Sequence, residues 1–285
     1  MAGNPDEEEL YMLYNRNQSE SARLNNQHKL IQLLSGSQLI LPQVNLGKIE
    51  SIADVATGTG VWIFEVHDQL TAVPTNTGSE RIFHAFDISD VQYPKQQDKV
   101  QLTVHDMTKP FPLEYHGRFD LVHVRLLLFA IRASELPKVI ENLIQILAPG
   151  GYIQWDDFYT EHMGYNVPKT DLNELTDLVY SYAADVGFSG RLPDLVKEEL
   201  EKQGLHDTFS AEYSSLSKPE ATDATKFWYR GTIKALVPVA LRRSGHSDEE
   251  VAQKLGGIDK RIDTAFENGV VPDLRVAYVL AKRPA

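Results

Sequence analysis

Short apolar runs and amphipathic segments alternate through the middle of the chain. The pattern predicts strands at 51–55, 81–86, 100–105, 119–124 and from 152 to 155, with helices at 62–70 and 134–147. Strands that alternate with helices form a parallel sheet with crossover helices. Pro149, Gly150 and Gly151 end the second helix because these residues do not continue it. The chain is therefore predicted to be α/β.

The flanking segments have a different pattern. Helical spacing of apolar residues predicts helices within 8–45, 170–188 and 221–268, and alternation predicts strands near 207–213 and at 274–281. Helices at the rim of a sheet commonly cover a site at the strand ends, although packing alone also explains them. We expect these additions to form a lid.

A glycine turn joins the first strand to the first helix. Residues 54–60 read Asp-Val-Ala-Thr-Gly-Thr-Gly. Glycine allows a ligand to approach the backbone, and the helix that follows presents free N–H groups to it. A dinucleotide-binding turn would need a third glycine where Ile63 stands, and a P-loop would need a lysine after Gly60. The turn predicts a nucleotide-cofactor loop of another kind.

Carboxylates follow the next two strands. Asp87 ends strand 2, where a carboxylate can accept hydrogen bonds from both hydroxyls of a ribose. Asp106, with Met107 beside it, ends strand 3 and suits an adenine amino group and ring. An ordinary turn or helix cap explains either acid as well.

These segments occur in the order found in a known superfamily. Residues 54–60, Asp87, residues 106–107, 119–123 and 147–151 together resemble the class I S-adenosylmethionine-dependent methyltransferases. The resemblance implies a Rossmann-like, seven-stranded, mostly parallel sheet with a final reversed strand. It also implies S-adenosylmethionine as cofactor and S-adenosylhomocysteine as product.

A narrower resemblance covers residues 23–28, 55–62, 119–125 and 149–157, which look like methyltransferases of fungal secondary metabolism. It implies O- or N-methylation of a small natural product. Ala56 departs from the broad superfamily, where glycine is commoner. We expect a helical cap over 1–48 and a methyltransferase domain over 49–285, with helical insertions near 160–190 and 221–268.

The resemblance and the strand-end positions give a set of expected cofactor residues. They are Arg23, Asp54, Ala56, Thr57, Gly58, Gly60, Trp62, Asp87, Ile88, Asp106, Met107 and His123. Arg23 is expected to pair with the cofactor carboxylate.

Methyl transfer from a sulfonium mainly requires alignment and exclusion of water, and it needs a base only for a protonated acceptor. His123, at the end of strand 4, is the first candidate for that base, and a packing role is the alternative. Asp157, just after strand 5, is the second catalytic candidate, expected to orient a basic residue or an acceptor group, with a solvated or capping role as the alternative. His28, Trp155 and Asp156 are candidate substrate contacts, with core, lid or capping roles as alternatives. We find no convincing set of metal ligands.

Composition narrows the partners. The net charge of −12 disfavours nucleic acid. The acidic start of the chain is unlike a signal peptide, and the apolar run at 121–131 is too short to span a membrane. With no cysteine, the chain fits a reducing compartment, so we expect a cytoplasmic protein. A homodimer through the added helices stays open. So do two other functions: a non-methylating pericyclic or eliminative enzyme, and a regulatory protein.

Overall fold

The computed structural model describes residues 18–94 and 99–285. Its sheet has seven strands: β1 (Ser51–Val55), β2 (Ile82–Asp87), β3 (Gln101–Val104), β4 (Phe119–Arg125), β5 (Leu147–Tyr165), β6 (His206–Ser214) and β7 (Pro272–Lys282). The described helices are α1 (Gln18–Ser35), α2 (Val61–Leu70), α3 (Leu136–Ile146), α4 (Asn173–Val186), α5 (Leu192–Lys202), α6 (Thr222–Arg243), α7 (Asp248–Leu255) and α8 (Ile258–Glu267).

The strands lie in the order β3-β2-β1-β4-β5-β7-β6. Strands β1 to β5 pair in parallel, and β7 runs antiparallel to both of its neighbours. The strand order reverses between β1 and β4, and open α/β sheets bind ligands at the carboxyl ends of the strands beside such a reversal. The topology therefore places a site after β1, β2 and β4.

Burial explains why the central strands read as continuous apolar runs. All five residues of β1 are buried, because helices cover both faces of a parallel sheet. Helix α3 turns an apolar stripe that includes Val139, Ile140 and Leu143 towards the sheet. Apolar side chains of α1, among them Leu30 and Leu34, belong to this main core.

The added helices of the second half enclose a smaller core of their own. It joins α4, α6, α7 and α8 through buried residues such as Leu175, Tyr229, Ile233 and Ile262. This core lies beside the cavities at the strand ends, so the insertion is a packed unit that positions its own side chains there.

The predicted α/β fold with seven strands is confirmed, and the ends of β1, β2 and β4 agree within a residue. Two details differ: β5 continues to Tyr165, into the segment near 160–190 that was expected to be helical, and α5 was not predicted. The segment 221–268, predicted to be helical, contains α6, α7 and α8. The helix expected within 8–45 ends at Ser35, and positions 8–17 lie outside the described residues. None of the helices in the described ranges has the length and hydrophobicity to cross a membrane.

Candidate active site

A cavity of about 530 Å³ opens at the carboxyl ends of β1 to β4. Backbone from the glycine turn forms one wall, and carboxylates after β2 and β3 lie along another. Its lining includes Leu24, Ala56, Thr57, Gly58, Thr59, Asp87, Ile88, Asp106, Met107, Arg125, Leu126 and Ala130. The cavity thus brings together most of the side chains that the sequence places at strand ends.

The glycine turn bends sharply, through positive φ angles at Ala56 (58°), Gly58 (60°) and Gly60 (75°). Left-handed backbone suits glycine and is strained for alanine, which explains why glycine is commoner at position 56 in the superfamily. A Cβ on Gly60 would lie 2.6 Å from a ring carbon of Phe64. Gly58 lines the cavity, whereas Gly60 serves the turn.

Asp87 ties the turn to β2. Its Oδ2 accepts a hydrogen bond from the Gly58 N–H at 2.8 Å, and its Oδ1 accepts one from the Ser89 N–H at 3.2 Å. The same residue lines the larger cavity. Asp87 therefore fixes the loop and faces the cavity at the same time.

The end of the cavity beyond β3 has one acid and two apolar side chains. Asp106 Oδ1 accepts hydrogen bonds from the N–H and the hydroxyl of Thr108, at 2.9 and 2.7 Å. Met107 is buried against the cavity, and Ile88 is 57% exposed at its rim. An exposed isoleucine beside an acid suits a flat, polar-edged ring such as adenine.

Arg125 ends β4 and lines the cavity. Its guanidinium donates a hydrogen bond to His28 Nδ1 at 2.6 Å, and His28 Nε2 lies 2.9 Å from a Glu65 carboxylate oxygen. Burial, together with Arg125, lowers the pKa of His28, so this imidazole is neutral and accepts at Nδ1. His28 therefore holds Arg125 in place and does not itself reach the cavity.

Arg23 lies at a second, smaller cavity. Its guanidinium donates to both carboxylate oxygens of Glu20, at 2.6 and 2.7 Å. The expected partner of the cofactor carboxylate is therefore already paired, and Arg125 is the arginine that lines the larger cavity.

His123 lies wholly buried between two carboxylates. Nδ1 is 2.7 Å from Asp54 Oδ1, and Nε2 is 3.0 Å from Asp156 Oδ2. Burial lowers the pKa of His123, but Asp156 and Asp54 outweigh burial and raise the pKa above its ordinary value. The two carboxylates thus favour the imidazolium form, in which both nitrogens donate and neither has a lone pair to accept a proton. The geometry instead makes His123 a link between β1, β4 and β5.

Asp157 lines the smaller cavity, which holds about 70 Å³. Its carboxylate accepts hydrogen bonds from the Leu127 N–H at 2.7 Å, the Phe158 N–H at 2.9 Å and the Trp155 indole at 3.2 Å. Burial raises the pKa of Asp157 to about 7, against the opposing effect of these donors. A carboxyl group with this pKa can take up a proton near neutrality.

The two cavities meet at Leu24, Leu126 and Ala130, which line both. Leu126 has a φ of 60°, which is strained for leucine. Its N–H donates to the Asp156 carbonyl at 2.9 Å, so pairing with β5 holds the strained turn. A strained residue at a cavity junction is typical of a functional site.

Several expected site residues lie elsewhere. Asp54, Trp62 and His28 line neither cavity, and Trp155 and Asp156 are buried in the sheet rather than at a substrate wall. Sequence reasoning missed Arg125, Leu126 and Trp228. Arg125 had a usable signal, because it directly follows the predicted fourth strand. Trp228 lies on an insertion helix, and the sequence does not indicate where that helix packs against the sheet.

The residues at the larger cavity fit S-adenosylmethionine. Its lining includes the carboxylates of Asp87, Asp106 and Glu135 and the guanidinium of Arg125, which suits a ligand with ribose hydroxyls, an adenine amino group and a carboxylate. Gly58 supplies the close approach, since a Cβ there would already lie 3.3 Å from Leu24.

Known proteins share both sequence and fold with this chain. It is 30% identical over 248 residues to methyltransferase grgD of Penicillium sp, covering 86% of this chain and 87% of the relative. It is 28% identical to N-methyltransferase gliN of Aspergillus fumigatus, covering 71% and 70%. No protein-family model matches the chain.

Among solved structures, human N-acetylserotonin methyltransferase in complex with S-adenosylmethionine has a TM-score of 0.51 at 17% identity, covering 99% of this chain and 61% of that one. A Haemonchus contortus phosphoethanolamine N-methyltransferase in complex with S-adenosylhomocysteine has a TM-score of 0.50 at 12% identity, covering 96% and 58%. These two likenesses concern the fold.

Proposed function

The chain belongs to the S-adenosylmethionine-dependent methyltransferases of fungal secondary metabolism, and we propose that it methylates a nitrogen of a small natural product. The relatives named N-methyltransferases, gliN among them, favour nitrogen over oxygen. The observation that carries the proposal is the pair of adjoining cavities. One has the groups that a cofactor needs, and the other has a carboxyl group whose pKa is about 7.

The larger cavity holds the cofactor, which when bound supplies a methyl group on a positively charged sulfur. Asp87 accepts the ribose hydroxyls, and Asp106 accepts the adenine amino group between Ile88 and Met107. Arg125 pairs with the carboxylate of the methionine part. His28 and Glu65 support Arg125 from behind, because they fix its guanidinium at the cavity wall.

The smaller cavity receives the reacting end of the acceptor. An amine that gains a methyl group becomes an ammonium ion, and Asp157 takes the proton that this nitrogen then releases. Leu24, Leu126 and Ala130 surround the junction of the two cavities with apolar surface, which keeps water from the transfer. Arg23, already bound to Glu20, contributes its alkyl stem to the wall.

Helix α1 caps both cavities in this proposal, and residues 18–48 are the described part of the cap of the methyltransferase domain. Leu24 lies beside the glycine turn, where a Cβ on Gly58 would come within 3.3 Å of it, and the Thr59 hydroxyl donates to Asn25 Oδ1 at 2.8 Å. These contacts tie α1 to the cofactor loop, so a bound cofactor and a closed cap stabilise each other.

Titration calorimetry with S-adenosylmethionine and S-adenosylhomocysteine tests the cofactor site, with micromolar affinity expected for both. Methyl transfer is then assayed with labelled donor on aromatic amines and on the matching phenols. Transfer to amines supports the proposal, and transfer to phenols alone would assign oxygen instead. Tight cofactor binding without transfer to any acceptor would favour the non-methylating alternative.

A further inference from the structure

One face of α6 forms a wall of the smaller cavity. Trp228, Gly231, Thr232 and Ala235 all line it. Their spacing of three, four and seven residues places them on one side of the helix. From the sheet, Asp157 and Phe158 also line it. The insertion helices therefore contribute directly to the proposed acceptor site.

Gly231 lies inside α6, where glycine destabilises a helix relative to alanine. Its φ is not left-handed, and a Cβ built there would meet no heavy atom within 4 Å. Neither the backbone nor the packing of the described residues requires glycine at this position. What the missing side chain does provide is room in the cavity.

Trp228, which lines this cavity, carries a buried hydrogen-bond donor. Its indole Nε1 is buried and has no hydrogen-bond partner within the described part of the chain. A buried donor without a partner is costly, and an indole N–H can only donate. A ligand that carries an acceptor oxygen would satisfy it.

The remaining lining favours a flat and largely uncharged ligand. Trp228 and Phe158 lie with ring centroids 5.2 Å apart at 53°, and Phe129 also borders the cavity. The charged groups that line it are Arg23, which is paired with Glu20, and Asp157. Aromatic walls of this kind bind planar rings.

We propose that the acceptor is a planar aromatic amine with a carbonyl oxygen that receives the Trp228 indole N–H, and that Gly231 sets the size limit of this site. The inference rests on the proposed function, because it takes the smaller cavity as the acceptor site. Trp228 and Gly231 are then residues that determine specificity.

The test uses the full-length protein saturated with S-adenosylhomocysteine, and two probes of matched size. 4-Aminoacetophenone carries the carbonyl, and 4-ethylaniline replaces it with a methylene group. By calorimetry, we expect the ketone to bind about tenfold more tightly, because only it accepts the indole N–H. Trp228→Phe should abolish this preference and leave S-adenosylhomocysteine binding unchanged.

Gly231→Ala tests the size limit. We expect its midpoint of thermal unfolding to rise by roughly 2 °C, because alanine favours the helix. Binding of both anilines should weaken at the same time, and Gly231→Leu should weaken it further. Gly257→Ala is the matched control: it also adds a Cβ in open space, but it lines neither cavity.

The outcomes separate the two proposals. If S-adenosylhomocysteine does not bind, the proposed function fails. If it binds and neither aniline does, or if Trp228→Phe keeps the preference for the ketone, the inference about the acceptor is wrong while the cofactor site stands. Unchanged aniline affinity in Gly231→Leu would overturn the size limit.

Discussion

Trp62 stacks on His123, with ring centroids 3.5 Å apart and an angle of 6° between the planes. The indole thus lies flat against an imidazole held between the carboxylates of Asp54 and Asp156. A cation over an indole face is favourable, and its value rises when both groups are desolvated. The contact joins the first helix after the glycine turn to the middle of the sheet, so it fixes the turn from below.

His123→Asn should destabilise the fold by about 3–5 kcal/mol, because it leaves two buried carboxylates without their cation. The pKa of His123 is raised in the folded protein, so its contribution is complete below the unfolded pKa of about 6.5 and is lost as the pH rises through the folded pKa. Urea unfolding near pH 6 and near pH 9 measures this. The stability gap between wild type and variant should be larger near pH 6.

His84→Asn is the control for this prediction. His84 is also a buried strand histidine, but burial, together with Arg118, lowers its pKa to about 4. Its contribution is therefore complete above about pH 6.5 and is lost as the pH falls towards 4. The two variants should show opposite trends with pH. A gap for His123→Asn that does not change with pH would show that the ring is neutral.

Arg125→Met should weaken binding of S-adenosylhomocysteine by about 10- to 100-fold, because a charge-assisted hydrogen bond contributes roughly 1.5–3 kcal/mol. 5′-Methylthioadenosine lacks the amino-acid end of the cofactor, so its affinity should not change. Calorimetry with both ligands measures the difference. Arg125→Lys keeps the positive charge beside Asp54 and Asp156. Its affinity for S-adenosylhomocysteine should therefore fall less than that of Arg125→Met.

Arg23→Met is the matched variant. Arg23 is bound to Glu20 and lines the smaller cavity, so the affinity for S-adenosylhomocysteine should stay within about twofold of wild type. If Arg23→Met, rather than Arg125→Met, weakened that affinity, the carboxylate of the cofactor would bind Arg23 on α1 instead. Equal losses of both ligands in Arg125→Met would indicate a general disturbance of the site.

The sequence was sufficient for the fold and for the position of the glycine turn between β1 and α2. Strand-end positions of Gly58, Asp87 and Asp106 follow from local patterns, because parallel strands bring their carboxyl ends to one edge of the sheet. The positive φ of Ala56 could not be predicted from the sequence, because alanine rarely adopts this conformation.

The directions in which side chains point at the ends of β4 and β5 were harder to predict than the strand-end positions. The sequence predicted the fifth strand only to Trp155, whereas β5 continues through Asp156 and Asp157. Neighbouring residues of a strand face opposite sides, so Asp156 meets His123 while Asp157 meets the smaller cavity. The wall that α6 contributes to the smaller cavity depends on how the insertion packs against the sheet, which the local sequence does not indicate.

Asp87→Asn should weaken S-adenosylhomocysteine and 5′-methylthioadenosine alike, by about tenfold, because both ligands carry the ribose that a carboxylate binds better than an amide. The amide oxygen can still accept the Gly58 N–H, so the turn should keep its shape. Calorimetry with the two ligands used for Arg125 measures this. A loss confined to S-adenosylhomocysteine would place the ribose elsewhere.

Asp157→Asn should lower the turnover of an amine acceptor by about 100-fold, because the amide cannot take up the proton that the methylated nitrogen releases. In the wild type the rate should rise with pH through about 7, the pKa to which burial raises Asp157. That rise should disappear in the variant, while the affinity for S-adenosylhomocysteine stays the same. Steady-state rates from about pH 5 to pH 9 measure both effects.

Stability gives an independent check on the same carboxyl group. A folded pKa of about 7 against an ordinary value of 3.8 means that the folded state binds the proton between these values and the unfolded state does not. Wild type should therefore lose a few kcal/mol of stability as the pH rises from about 4 to 7, and Asp157→Asn should not show this loss. If the variant loses the rate dependence but keeps the wild-type stability profile, a different group titrates at this pH. If it keeps both, Asp157 is a structural acceptor for the Leu127 and Phe158 N–H groups, and the acceptor's proton leaves by another route.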